Sequence, residues 1–254
     1  MKFRFLFLIV LMYHLGYAQN ADLDASKKAK INHIISLFKK NNRADISNHI
    51  NYPLRREYPI PEIKNKKEFQ QRFGEVFDQI LINRIAHSTL SQWSEVGWRG
   101  IMLDNGTLWI DSYEGKITAV NYESSFEKNL RKKLIEKERE SVHPSLKKFK
   151  LPVYKLKTEH YLIRIDELPD GKYRYASWKK GCKESSQPDI ILNNEELDFL
   201  GSGGNHVITF SSGNYIYKIY RNIITEENGS DVSLEVEKDD QVILTQNGTL
   251  AAPR

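Results

Sequence analysis

Apolar residues recur along this chain with two different periods. Over residues 24–40, Ile31, Ile34, Ile35 and Phe38 fall at i, i+3, i+4 and i+7, the spacing that gathers side chains onto one face of an α-helix. Asp24 stands where an N-cap carboxylate accepts a free backbone N–H. A short helix or turn over residues 45–50 follows. Pro53, Pro59 and Pro61 then predict an extended loop over residues 52–61. A second helix is predicted over residues 66–83, with Phe69, Phe73, Val76, Phe77, Ile80 and Leu81 inward. Asn65 and Glu68 have the spacing of a capping box at its start. A third helix, of mixed charge, is predicted over residues 125–141. Phe126, Leu130 and Leu134 lie along one side, the charge run reads as a solvated face, and His143-Pro144 stops it.

Elsewhere the period is two. Residues 95–103, 107–111 and 116–122 read as a three-stranded meander with turns at Asp104-Asn105-Gly106 and Tyr113-Glu114-Gly115. Asn-Gly is a strong hairpin signal because both residues tolerate positive φ. From Pro152 onward only strands are predicted. Tyr161, Ile163 and Ile165 alternate, as do Ile208 and Phe210, and Tyr215, Tyr217 and Ile219; Val232, Leu234 and Val236 face Val242 and Leu244. Turn signals recur between them at Pro169-Asp170-Gly171, Asn193-Asn194, Gly201 to Gly204, Ser212-Gly213-Asn214, Asn228-Gly229 and Lys238-Asp239-Asp240. This spacing predicts an antiparallel barrel or sandwich. The chain is thus expected to be α+β. Helices packed on an antiparallel sheet should fill residues 19–150, and an all-β unit residues 151–254.

The start of the chain adds a location. Lys2 and Arg4 precede an apolar run from Phe5 to Leu15, and Gly16-Tyr17-Ala18 follows. This is the form of a secretory signal peptide over residues 1–18. Export to the periplasm or the medium is therefore expected. No second apolar run reaches membrane length, so no transmembrane segment is expected after the leader is removed. Cys182 is the single cysteine, so no internal disulfide can form and the fold must rest on its core. The net charge of +5 falls to +3 without Lys2 and Arg4, from 38 basic and 33 acidic residues in all. That balance, with the signs interleaved, predicts no nucleic-acid partner.

Two helices followed by an antiparallel meander resemble the NTF2-like (cystatin-related) α+β fold. Residues 45–122 also resemble an uncharacterised family of bacterial envelope proteins. The resemblance rests on Tyr52-Pro53-Leu54, Tyr58-Pro59-Ile60-Pro61, Asn65 to Phe69, Val96 to Leu103, Gly106-Thr107-Leu108-Trp109 and Gly115-Lys116-Ile117. It covers about a third of the chain and implies a location and a fold, but no activity. Tyr173 to Trp178 and Gln187-Pro188-Asp189 look like the small β-domains of other exported bacterial proteins, which by architecture alone include lysozyme inhibitors.

NTF2-like folds often use the open end of their cone as a pocket. Trp98 and Trp109 flank the Asn105-Gly106 turn, with Arg99 and Asp111 beside them. On a continuous strand Trp98 would share a face with Gly100 and Met102, and Arg99 would lie opposite. Either these four residues line a ligand pocket, with Arg99 receiving a carboxylate, or the two tryptophans fill the space between sheet and helix. Gly201 to Gly204 read as a flexible or bulged turn, because no helix N-terminus follows to cradle phosphate. Cys182, within Lys179 to Lys183, reads as an exposed thiol; as a nucleophile it would need His160 or His206 as base. The histidines show no His-x-His or His-x-x-x-His spacing, so no metal or cofactor is expected. Asp104, Asp111, Asp189 and Asp198 are the carboxylates available for a hydrolase pair. Asn105, Asn228 and Asn247, each followed by Gly, read as turns. The expected function is non-enzymatic binding of a small ligand or an envelope protein. The alternatives are an envelope hydrolase with Asp111 or His87 as base, and an inhibitor or immunity protein that caps a toxin or lysozyme.

Overall fold

The helical period is realised at the start of the chain. Helix α1 (Ala25–Lys40) begins at Asp24, whose carboxylate accepts from Lys27 N at 2.8 Å. It buries Ile31, Ile34, Ile35, Leu37 and Phe38. Helix α2 (Arg43–Asn48) is capped by Asn42. The single helix expected over residues 66–83 is two, α3 (Lys66–Val76) and α4 (Gln79–Ala86). Phe77 leaves helical geometry and Asp78 starts the second segment as its N-cap, accepting from Leu81 N at 3.0 Å. The break changes the buried face. Leu81, Ile82 and Ile85 turn inward, whereas Ile80, expected inside, is 61% exposed. At the start of α3, Asn65 accepts from Glu68 N, but the Glu68 carboxylate returns to Lys64 N rather than to the cap itself.

Strands β1 (Trp93–Glu95), β2 (Ile101–Leu103), β3 (Leu108–Ile110) and β4 (Ile117–Val120) form an antiparallel sheet in that order. The strand expected over residues 95–103 is interrupted by a 3-10 turn at Gly97–Arg99. Ile101, Leu103, Leu108, Ile110, Ile117 and Val120 pack against the helices in one apolar cluster, which includes the contacting rings of Phe69, Phe73 and Phe77.

Helix α5 (Ser125–Ser141) follows, capped by Ser124. The computed structural model describes residues 23–193, 195–201, 203–223 and 229–251; the expected leader, Asn194, Ser202 and Asn228 lie outside them. The remaining strands are β5 (Leu151–Lys157), β6 (Tyr161–Glu167), β7 (Tyr173–Lys179), β8 (Ile190–Leu192), β9 (Glu195–Phe199), β10 (His206–Ser212), β11 (Tyr215–Arg221), β12 (Val232–Lys238) and β13 (Gln241–Leu250). They make one antiparallel sheet in the order β8-β7-β6-β5-β13-β12-β11-β10-β9. Pairing of β13 with β5 joins the two ends of this segment, and β8 approaches β10, so the sheet is a nearly closed barrel. Ile163, Ile165, Tyr175, Ile208, Phe210, Ile219 and Leu234 fill its interior. Asn247-Gly248 lies within β13 and not in a turn. Gly248 sits where an added Cβ would meet Lys157 O at 3.2 Å, close to the point where β13 crosses to β5. No helix among the described residues is long and apolar enough to cross a membrane.

The charge run of α5 is not simply a solvated face. Phe126 is 52% exposed, while Glu127, Ile135 and Glu138 are the buried positions. Eleven residues make three turns, which places both glutamates on one face. Glu127 receives Arg56 through two nitrogens, with Nε to Oε1 at 2.6 Å, and Arg56 also donates to Val120 O and Tyr122 O. Glu138 faces the barrel wall, where it accepts from Lys155 Nζ and Arg164 Nη1, each at 2.7 Å. Glu184 accepts from the same two cations, and Asp166 lies between Arg164 and Arg174 at 2.7 Å from each. Arg164, Lys155 and Arg174 thus balance Glu138, Glu184 and Asp166. Beside them Ile135, Phe149, Ala176 and Trp178 form a small apolar cluster. Tyr58 from the proline-rich loop donates to Glu138, and burial raises its phenol far above the ordinary value.

Candidate ligand cleft

The 3-10 turn before β2 depends on its glycines. Gly97 and Gly100 have φ of 52° and 100°, conformations that L side chains rarely adopt. Val96 N donates to Gly100 O at 2.8 Å and Gly100 N donates to Gly97 O at 3.2 Å. A Cβ on Gly100 would lie 2.3 Å from Ile110 O. The turn therefore lies flat against β3 and lifts Trp98 and Arg99 off the sheet. Trp98, 69% exposed, lies in this turn and not on a strand, so it does not share a strand face with Met102 as expected. Arg99 stacks over the Trp109 ring at 6.0 Å. Trp109 is half-buried on β3, where Gly106 leaves room for its indole; an added Cβ there would meet Nε1 at 3.1 Å.

Trp98, Arg99, Trp109 and Asp111 all line one cleft of about 830 Å³, within the size range of ligand sites. The cleft runs along the outer side of β4, against the residues that precede and enter α5, with Gly203 and Ile223 of the barrel at one margin. Tyr113, Tyr122, Arg55 and Arg131 complete its wall. Arg55 and Ile223 also line an adjoining cavity of about 1190 Å³ between the proline-rich loop and the barrel.

The charges in the cleft sort by partner. Asp111 is occupied with its own turn: Tyr113 N, Glu114 N and Lys116 N donate to it at 2.9, 2.6 and 2.8 Å. Burial pushes its carboxyl up, but these backbone donors outweigh burial and hold it below the ordinary value. Glu57 and Glu123 are both engaged by Arg131, at 2.8 and 3.2 Å. Arg56 is committed to Glu127. Arg55 and Arg99 remain exposed, and neither has a carboxylate within ion-pair distance among the described residues. Ser112 also lines the cleft, and its buried hydroxyl has no hydrogen-bond partner among the described residues. The cleft therefore presents two free guanidinium groups beside exposed aromatic rings.

Other candidates are dispersed. His87 ends α4 with Nδ1 bonded to Asn83 O at 2.9 Å, and does not line the cleft. Cys182 is exposed on the β7–β8 turn, and no hydrogen bond joins it to His160 or His206 among the described residues. His206 is instead bonded to Tyr154 Oη at 2.6 Å and to Gly204 O. Asp104 is bonded to Gln92, Asp189 accepts from Lys179 N, and Asp198 is exposed on β9. These three line none of the cavities described. Sequence reasoning missed Arg55, which nothing in its local pattern distinguishes from its neighbour Arg56. The described residues hold no group of three or more His, Cys, Asp or Glu placed to bind a metal ion.

Fold and site together define an α+β protein with a barrel-like sheet and an aromatic, cationic cleft. No protein-family model matches the chain, and comparison with curated proteins and with solved structures gives no match.

Proposed function

We propose that this chain is an exported bacterial protein that binds a carboxylate-bearing ligand in the cleft and does not transform it. The observation that carries the reading is the unequal pairing of charge. Every acidic group lining the cleft is engaged, while Arg55 and Arg99 are free beside Trp98, Trp109 and Tyr113. Guanidinium groups receive carboxylates through paired hydrogen bonds, and the rings supply apolar area and stacking surface. A hydrolase reading lacks a strong base: three backbone donors occupy the Asp111 oxygens and hold its carboxyl below the ordinary value, which makes it a weak proton acceptor, and His87 is elsewhere. Helices packed on an antiparallel sheet support an NTF2-like reading of the first half. The charged start of the chain and its apolar run support export.

The test is a calorimetric titration with a soluble peptidoglycan fragment, which carries carboxylates on a sugar–peptide chain, against a neutral chitin oligomer of equal length. Binding of the first alone, weakened by Arg99→Ala and by added salt, is expected. Equal binding of both would remove the role given to the arginines. Turnover of the fragment would overturn the non-enzymatic reading.

A further inference from the structure

His33 and His49 stand sixteen residues apart, so no local spacing links them, yet the fold brings their rings together. Their centroids are 4.7 Å apart, and their Nε2 atoms face each other at 2.9 Å. His33 projects from the exposed side of α1, next to buried Ile34. His49 ends α2, with its N–H bonded to Ile46 O at 2.9 Å and its carbonyl accepting from Ile117 N at 2.7 Å. Both backbones are thus fixed. Nδ1 of His49 lies 2.9 Å from Asp45 O. A carbonyl only accepts, so Nδ1 carries the proton and Nε2 of His49 turns its lone pair toward His33. An outer N–H held by a backbone carbonyl, with the inner nitrogen unprotonated, is the arrangement of a metal-ligating imidazole.

We propose that His33 and His49 form a two-nitrogen surface site for a borderline divalent transition-metal ion. With metal–nitrogen bonds of about 2.0–2.1 Å and tetrahedral angles, two ligand nitrogens lie about 3.3 Å apart. An opening of a few tenths of an ångström exchanges one ring-to-ring hydrogen bond for two metal bonds, and the proton on His33 Nε2 moves to its Nδ1. Two imidazoles select Cu²⁺, Ni²⁺ and Zn²⁺, with Cu²⁺ the tightest, over the oxygen-seeking Ca²⁺ and Mg²⁺. The other coordination positions stay open to water or to a donor from another molecule, unlike a closed structural zinc site. Neither histidine lines the cleft, so the site is independent of the ligand reading above.

The test is titration of the untagged full chain, as the Cys182→Ser variant, with Cu²⁺, followed by calorimetry and by paramagnetic resonance. One ion per chain is expected, with a two-nitrogen signature, unaffected by excess Mg²⁺. His33→Ala and His49→Ala should each weaken binding at least tenfold, with circular dichroism unchanged; His87→Ala should not weaken it. Absence of a saturable site, or binding that survives His33→Ala/His49→Ala, would overturn the proposal.

Discussion

The layer between α5 and the barrel and the cleft beside β4 are both rich in arginine, and the fold treats the two groups in opposite ways. Arg164 is fully buried, with Glu138, Glu184 and Asp166 arranged around it. Arg55 and Arg99 are exposed on a concave wall with no carboxylate within ion-pair distance among the described residues. Burying an ion is tolerated only when partners replace its water, so the first group is bound to structure. An exposed arginine keeps its water and can exchange it for a ligand. The difference is one of availability: an unmatched cation in a cleft is open to a ligand, whereas a matched one in a joint holds elements together.

The largest effect separates these roles. Arg164→Ala leaves three carboxylates facing two cations in a buried layer and should cost about 3–5 kcal/mol in urea unfolding. Phe73→Ala, in the apolar cluster of the first half, should cost a similar ~3–5 kcal/mol by opening a cavity, but with no added pH dependence. Acid should distinguish the two. Burial pushes the Glu138 carboxyl up, yet Lys155 and Arg164 outweigh burial and hold it below its ordinary value of 4.5. Its contribution is then complete above pH 4.5 and is lost as pH falls below that value. Glu138→Gln should flatten the fall in stability below pH 4.5, and Phe73→Ala should leave its slope intact.

How much of this was legible depended on what each helix buries. Helix α1 buries Ile31, Ile34 and Phe38 against apolar neighbours, and an apolar period reports that directly. Helix α5 buries Glu127 and Glu138 against Arg56, Lys155 and Arg164, which come from distant parts of the chain. A pattern that scores only apolar residues reads this face as solvent. Strand alternation revealed Ile163 and Ile165 inside the barrel, but not that Arg164 and Asp166 on the other face are also buried. The sequence marks Trp98 and Arg99 as candidates, and both residues line the cleft, although the strand expected to carry them is a turn. Gly97 and Gly100 held that information, since positive φ at both breaks the strand. Arg55 and the His33–His49 pair become visible only once remote segments meet.

A smaller effect tests that turn. Gly100→Ala imposes a left-handed conformation on an L residue and a clash with Ile110 O, and should cost on the order of 1–3 kcal/mol. It should also weaken cleft binding, because the turn that carries Trp98 and Arg99 must shift. The smallest effect on stability is the most informative about function. Arg55→Ala/Arg99→Ala should stay within about 0.5 kcal/mol of the parent chain, while each lost charge-assisted contact costs about 1.5–3 kcal/mol of binding.

The most direct measurement is therefore thermal unfolding of the parent chain and of Arg55→Ala/Arg99→Ala, each with and without the peptidoglycan fragment. A ligand at a hundred times its Kd stabilises the native state by about 2.7 kcal/mol. The account predicts equal Tm values without ligand, a clear upward shift for the parent and none for the variant. An equal shift in both proteins, or none in the parent, would contradict it.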